Sequence, residues 1–115
     1  MNLHKNVTNL DYLNGLSKGN NTFVEEMIEI FLTENPEEIR LLESGINDKN
    51  YTLIKASAHK MKSTIPFVGL DAIIGDDLSE IEKLCLENGD IHRIIELFSK
   101  VKNICLKAIE ELKPL

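Results

Sequence analysis

Apolar residues recur along most of this chain at steps of three and four, the period of a helix with one buried face. The pattern predicts five helices. Thr8 is placed to cap a short first helix, with Leu10, Leu13 and Leu16 facing inward and Gly15 and Gly19 ending it. Asn20 or Asn21 opens a long second helix carrying Phe23, Met27, Ile30 and Phe31 at helical spacing. Pro36 removes one backbone donor and crowds the carbonyl of Leu32, which predicts a kink rather than a stop, since Ile39, Leu42 and Ile46 resume the stripe. Asp48 is expected to cap a third helix beginning near Lys49 or Asn50, whose inward stripe is Ile54, Ala58, Met61, Ile65 and Val68. Pro66 and Gly69 mark its fraying and end.

A fourth helix is expected from about Leu70, with Ile74, Leu78, Ile81 and Cys85 as its seam and Asn88-Gly89 closing it. Asp90 caps a fifth, whose Ile91, Ile94, Phe98, Val101, Cys105, Ala108 and Leu112 keep a heptad-like spacing until Pro114. Connections of two to five residues make neighbouring helices antiparallel. The expected fold is therefore all-α: an antiparallel up-down four-helix bundle, with the short N-terminal helix lying across one end. No repeat, low-complexity tract or linker interrupts residues 1–115, which read as one domain.

Composition narrows the function. The 115 residues suit one compact domain with a core of its own. Cys85 and Cys105 fall on inward stripes at neither metal nor disulfide spacing, so they read as core fillers in a reduced, cytoplasmic setting. No leader-like or membrane-crossing apolar run is present, and a soluble monomer is expected. The formal charge of −6 argues against nucleic acid as a partner. That charge is unevenly spread. Residues 1–48 hold nine acids and three bases and residues 71–115 hold ten acids and six bases, whereas residues 49–70 hold Lys49, Lys55, Lys60 and Lys62 with no acid at all. A basic stretch in an acidic chain is a candidate docking place for something negative, although four lysines on a solvated helix need carry no function.

His59 departs from the pattern around it. With Ala58 and Met61 inward, His59 lies on the opposite side of the third helix, with Lys55 one turn before it and Lys62 and Ser63 one turn after. The strip Lys55, Ala56, His59, Lys62, Ser63 thus centres an imidazole between ammonium groups and small side chains. An imidazole is largely neutral and nucleophilic near pH 7. No Cys or carboxylate stands at i, i+3 or i, i+4 to it, so this helix holds no metal set of its own. His4 and His92 have no partners at ligand spacing. Nucleophile-elbow and glycine-rich phosphate-loop motifs are missing, which argues against a serine hydrolase and an ATP- or GTP-binding enzyme.

The stretch Ala58-His59-Lys60-Met61-Lys62-Ser63-Thr64, followed by Val68-Gly69-Leu70, resembles the signature of histidine-containing phosphotransfer (HPt) domains, where AHxLKG precedes small residues and a glycine before the next helix. The likeness extends to Asn9-Leu10-Asp11-Tyr12-Leu13, to Phe31 and Pro36, to the Asp48 turn, and to Leu78, Ile81 and Glu82. It implies a phosphorelay carrier. His59, through Nε2, would take a phosphoryl group from a phospho-aspartate on the receiver domain of a hybrid histidine kinase and pass it to a response-regulator aspartate. Lys62 would stabilise the phosphoryl oxygens, and Lys55, Ala56, Lys60, Ser63 and Gly69 would contribute to binding. No cofactor of its own is implied, and Mg²⁺ is expected on the partner receiver. Two positions depart from the family: Ser63 stands where Gly is usual, a small hydroxyl that narrows the approach yet can donate to a phosphoryl oxygen, and Pro66 replaces a helix former. The phosphoacceptor helix pair of a histidine kinase fits less well, because that motif carries an acid directly after its histidine and this chain has Lys60. The main alternatives are a helical adaptor that binds a receiver or kinase without being phosphorylated and a plain structural bundle.

Overall fold

The computed structural model describes residues 6–114; Met1–Lys5 and Leu115, and with them His4, lie outside the described residues. The described chain is helical throughout, with no strand among the described residues. In order it comprises α1 (Asp11–Ser17), α2 (Asn21–Asn47), α3 (Tyr51–Thr64), a 3₁₀ turn (Ile65–Val68), α4 (Asp71–Leu86) and α5 (Ile91–Leu112). Contacts run from α2 to α3, α3 to α4, α4 to α5 and α5 back to α2, closing a four-helix ring, while α1 packs on α2 and the 3₁₀ turn. The expected all-α bundle with a short N-terminal helix is the observed fold.

Capping chemistry sets most boundaries. The Asn20 side chain accepts from Phe23 N at 3.1 Å and that of Asp90 from His92 N at 2.9 Å, each satisfying a backbone donor that the first turn leaves free. The cap of α3 is Asn50, whose side chain accepts from Leu53 N at 3.1 Å, and not Asp48, which ends α2. Lys49 between them adopts φ 51, so the chain turns one step later than the sequence suggests. Thr8 does not cap α1 either. Asn9 Oδ1 accepts from Asp11 N at 2.8 Å, while Thr8 is drawn to α5, its N and Oγ1 donating to Glu111 Oε1 at 3.0 and 2.7 Å. Gly15 lies inside α1, which ends at Ser17 with Lys18 and Gly19 in left-handed conformation.

The core follows the predicted stripes on α3, α4 and α5, with Leu97 added on α5. On α2 the helix runs unbroken through Pro36, and Phe31, Ile39, Leu42 and Ile46 are buried as expected, together with Asn35, Glu38 and Gly45, whereas Ile30 is 45 % exposed. The polar residues Asn35 and Glu38 complete the buried line, so apolar periodicity alone misses them and turns Ile30 inward in their place. Leu16 likewise turns outward. Gly45 lets α3 come close, since a Cβ there would lie 2.9 Å from Ile54 Cγ1. Cys85 and Cys105 are buried and unbridged, and burial pushes the Cys105 thiol up to about 11.

Glu38 is 1 % exposed and meets Thr64 Oγ1 at 3.2 Å. Its Oε2 and Asn35 Oδ1 have no partner among the described residues. Burial pushes its carboxyl above the ordinary range, against the smaller effects of the Thr64 hydrogen bond and the Lys60 charge. A carboxyl raised in the folded state contributes stability that is complete below its unfolded value of 4.5 and is lost as pH climbs through the raised one. Glu38→Gln is therefore expected to stabilise the fold by about 1 kcal/mol at pH 7.5 and by nothing at pH 4, measured by urea unfolding at both.

At the corner between the 3₁₀ turn and α4, Gly69 has φ 79, and a Cβ there would fall 2.5 Å from Asn9 O. Asn9 N also donates to Val68 O at 2.9 Å. Gly69→Ala combines a left-handed backbone with a collision against main chain, and its thermal unfolding should show a loss of about 2 kcal/mol or more.

Candidate functional site

Helix α3 builds the site by what it buries. Ile54, Ala58 and Met61 are fully enclosed between α2 and α4, and Ile65 continues their line into the 3₁₀ turn. At 100° per residue this rotation carries His59 to the outer surface, where its side chain is 76 % exposed. Lys55 and Ala56 lie one turn before it and Ser63 one turn after, all exposed. Thr52, Lys55, Ala56 and His59 line an open groove of 350 Å³, to which Ala56 contributes only a methyl group. The four predicted site residues Lys55, Ala56, His59 and Ser63 share one face with Lys62.

The residue the sequence reading did not assign to the site is Glu82. It follows the buried Ile81 on α4 and brings a carboxylate, 15 % exposed, across to α3. Its Oε2 lies 3.3 Å from His59 Nδ1 and its Oε1 3.0 Å from Lys62 Nζ. Oε1 is shut off from solvent, and the Lys62 ammonium, an ion-pair contact rather than a directed hydrogen bond, is its partner among the described residues. An ionised carboxylate can accept and cannot donate. Its contact therefore favours the tautomer with hydrogen on Nδ1, which leaves the Nε2 lone pair unshared. Glu82 was visible in the sequence as part of the family likeness, yet nothing in the spacing along α4 says which helix it faces.

Other predicted contributors are placed differently. Ser63 Oγ donates to Lys60 O at 2.7 Å, so the hydroxyl is engaged by its own helix. Lys60 lies toward α2, where its charge acts on Glu37 and Glu38. Lys49 sits at the α2–α3 corner. The four lysines thus do not form one patch: Lys55 and Lys62 flank the imidazole, and Glu82 balances one of them. Gly69 is ten residues beyond His59, held against Asn9, and the Pro66 departure falls in the 3₁₀ turn past the end of α3. His92 is exposed at the start of α5. Among the described residues, no group of three or more His, Cys, Asp or Glu side chains could hold a metal ion. None of the described helices is long and apolar enough to cross a membrane.

Residues 26–112 match the model of the Hpt domain family. No curated protein and no solved structure is a significant match. The matched span begins within α2 and takes in all of α3, α4 and α5, the ring of helices that holds the imidazole outward and supplies both Lys62 and Glu82. A match over that much of the chain shows that it belongs to the Hpt domain family, with a role in phosphorelay phosphotransfer and receiver-type domains as partners.

Proposed function

We propose that the chain carries a phosphoryl group on His59 Nε2, taking it from a phospho-aspartate on the receiver domain of a hybrid histidine kinase and giving it to a response-regulator aspartate. The observation that carries this reading is the exposed His59 ring whose Nδ1 is engaged by Glu82 while Lys62 stands beside it. In the forward step the Nε2 lone pair attacks phosphorus, the P–O bond to the aspartate breaks, and the freed carboxylate leaves with the bonding pair. The transition state is loose, so in-line positioning and fixed positive charge supply most of the acceleration. Lys62 is the charge-assisted donor to the phosphoryl oxygens. Lys55 contributes at longer range, and Ala56 keeps the groove open to a partner's loop. Mg²⁺ comes with the receiver's acidic pocket, since the Glu82 carboxylate beside His59 is already shared between the ring and Lys62.

The test is transfer from a phosphorylated receiver with Mg²⁺. The wild-type chain should take up acid-labile, base-stable label, and His59→Gln should take up none while keeping its helicity. Equal labelling of His59→Gln overturns the assignment, and binding of the receiver without label on the wild type selects the unphosphorylated adaptor instead. Lys62→Ala should slow transfer about 10- to 100-fold, the worth of one charge-assisted contact, as read by single-turnover kinetics. Lys55→Ala should slow the second-order step about two- to fivefold at low ionic strength, with the difference vanishing in high salt.

A further inference from the structure

We propose that Glu82 is the resident counter-ion of the site: it holds Lys62 while His59 is free, and Lys62 passes from Glu82 to the phosphoryl group when His59 is loaded. The proposal rests on His59 being the phosphoryl carrier and concerns what loading does to the charges around it.

Three observations carry it. One carboxylate meets both groups that the chemistry needs, His59 Nδ1 at 3.3 Å and Lys62 Nζ at 3.0 Å. The pair is partly enclosed, with Glu82 15 % and Lys62 35 % exposed, so the contact is less screened than an ordinary surface ion pair. Glu82 Oε1 is out of contact with water and has Lys62 as its partner, so withdrawing the ammonium strands a buried anionic oxygen. A phosphoryl group on Nε2 brings negative charge to the same face and competes for the same ammonium. Loading is then an exchange of anions on one lysine and not the addition of a new ion pair. The gain from Lys62 meeting the phosphoryl oxygens is offset by the loss at Glu82. For a carrier this has a use, because a site that bound its phosphoryl group with an uncommitted lysine would hold it back from the acceptor.

Phosphoramidate provides a test independent of any receiver. It transfers its phosphoryl group to the imidazole: the N–P bond to His59 forms, the P–N bond of the reagent breaks, and ammonia leaves. In a His4→Gln, His92→Gln background the label reports His59 alone, and the loading shift in Tm is compared among the parent, Glu82→Gln, Lys62→Ala and the double variant. The expected result is a shift near zero in the parent, a rise of about 3 °C or more in Glu82→Gln, where Lys62 gains a partner at no cost to a carboxylate, and no rise in the double variant. The ¹⁵N resonance of the Lys62 ammonium should also move when the parent is loaded, a readout that does not depend on any variant folding. An equal rise in parent and Glu82→Gln, a rise that persists without Lys62, or an unmoved Lys62 resonance overturns the exchange. A chain that shows the exchange after phosphoramidate loading yet takes no label from phosphorylated receivers sinks the relay assignment alone.

Discussion

The burial of one stripe on α3 is the constraint on which the rest depends. Ile54, Ala58 and Met61 are wholly removed from water between α2 and α4, and Gly45 allows the helices to approach closely enough to enclose Ile54. Each such side chain is worth on the order of 1.5–3 kcal/mol in transfer alone, Ala58 less. Turning α3 by one residue would expose that stripe and bury His59, a rotation of 100° that no surface contact could repay. The direction in which the imidazole points is therefore a property of the core. The same rotation places Lys55 and Lys62 beside it and sends Lys60 toward α2.

Two carboxylates, one from each helix that flanks α3, meet opposite circumstances. Glu38 on α2 is enclosed, with a threonine hydroxyl at one oxygen and no hydrogen-bond partner at the other among the described residues, and burial pushes its carboxyl upward. Glu82 on α4 stands nearer the rim, where an ammonium and an imidazole share it. The difference is one of depth and partner. The inner carboxyl costs the fold stability at neutral pH, whereas the outer one arranges the charges around the exposed ring.

One end of the bundle is closed by a third carboxylate. Glu111 on α5 accepts from the main chain of Val7 and Thr8 and from the Thr8 hydroxyl, at 2.7 to 3.1 Å. Burial pushes this carboxyl up, but the three donors and the Lys107 charge together outweigh it and hold it below the ordinary range. Along with the close contact of Gly69 and Asn9, these bonds fasten the segment before α1 to the end of the helix ring.

The helix count, the α3, α4 and α5 stripes and the outward face of His59 were legible in the sequence because each follows from the period of 3.6 within a single element. The strip Lys55, Ala56, His59, Ser63 could be drawn for the same reason. What failed were statements that needed a neighbour. Asp48 and Thr8 are good capping residue types, but the turn after α2 passed the cap to Asn50, and Glu111 claimed Thr8 from over a hundred residues away. Ile30 reads as inward because Asn35 and Glu38, which complete the buried line of α2, are polar. A run of four lysines without an acid suggested an unbalanced basic patch, and it dissolved because linear charge ignores what lies across a helix interface. The sequence by itself determined the buried stripes of α3, α4 and α5 and that an imidazole faces outward, since both are local consequences of helical geometry. Only the tertiary structure decided that Glu82 stands against that imidazole and its lysine, because the angle at which α4 packs on α3 is set by the whole core and written in neither helix alone.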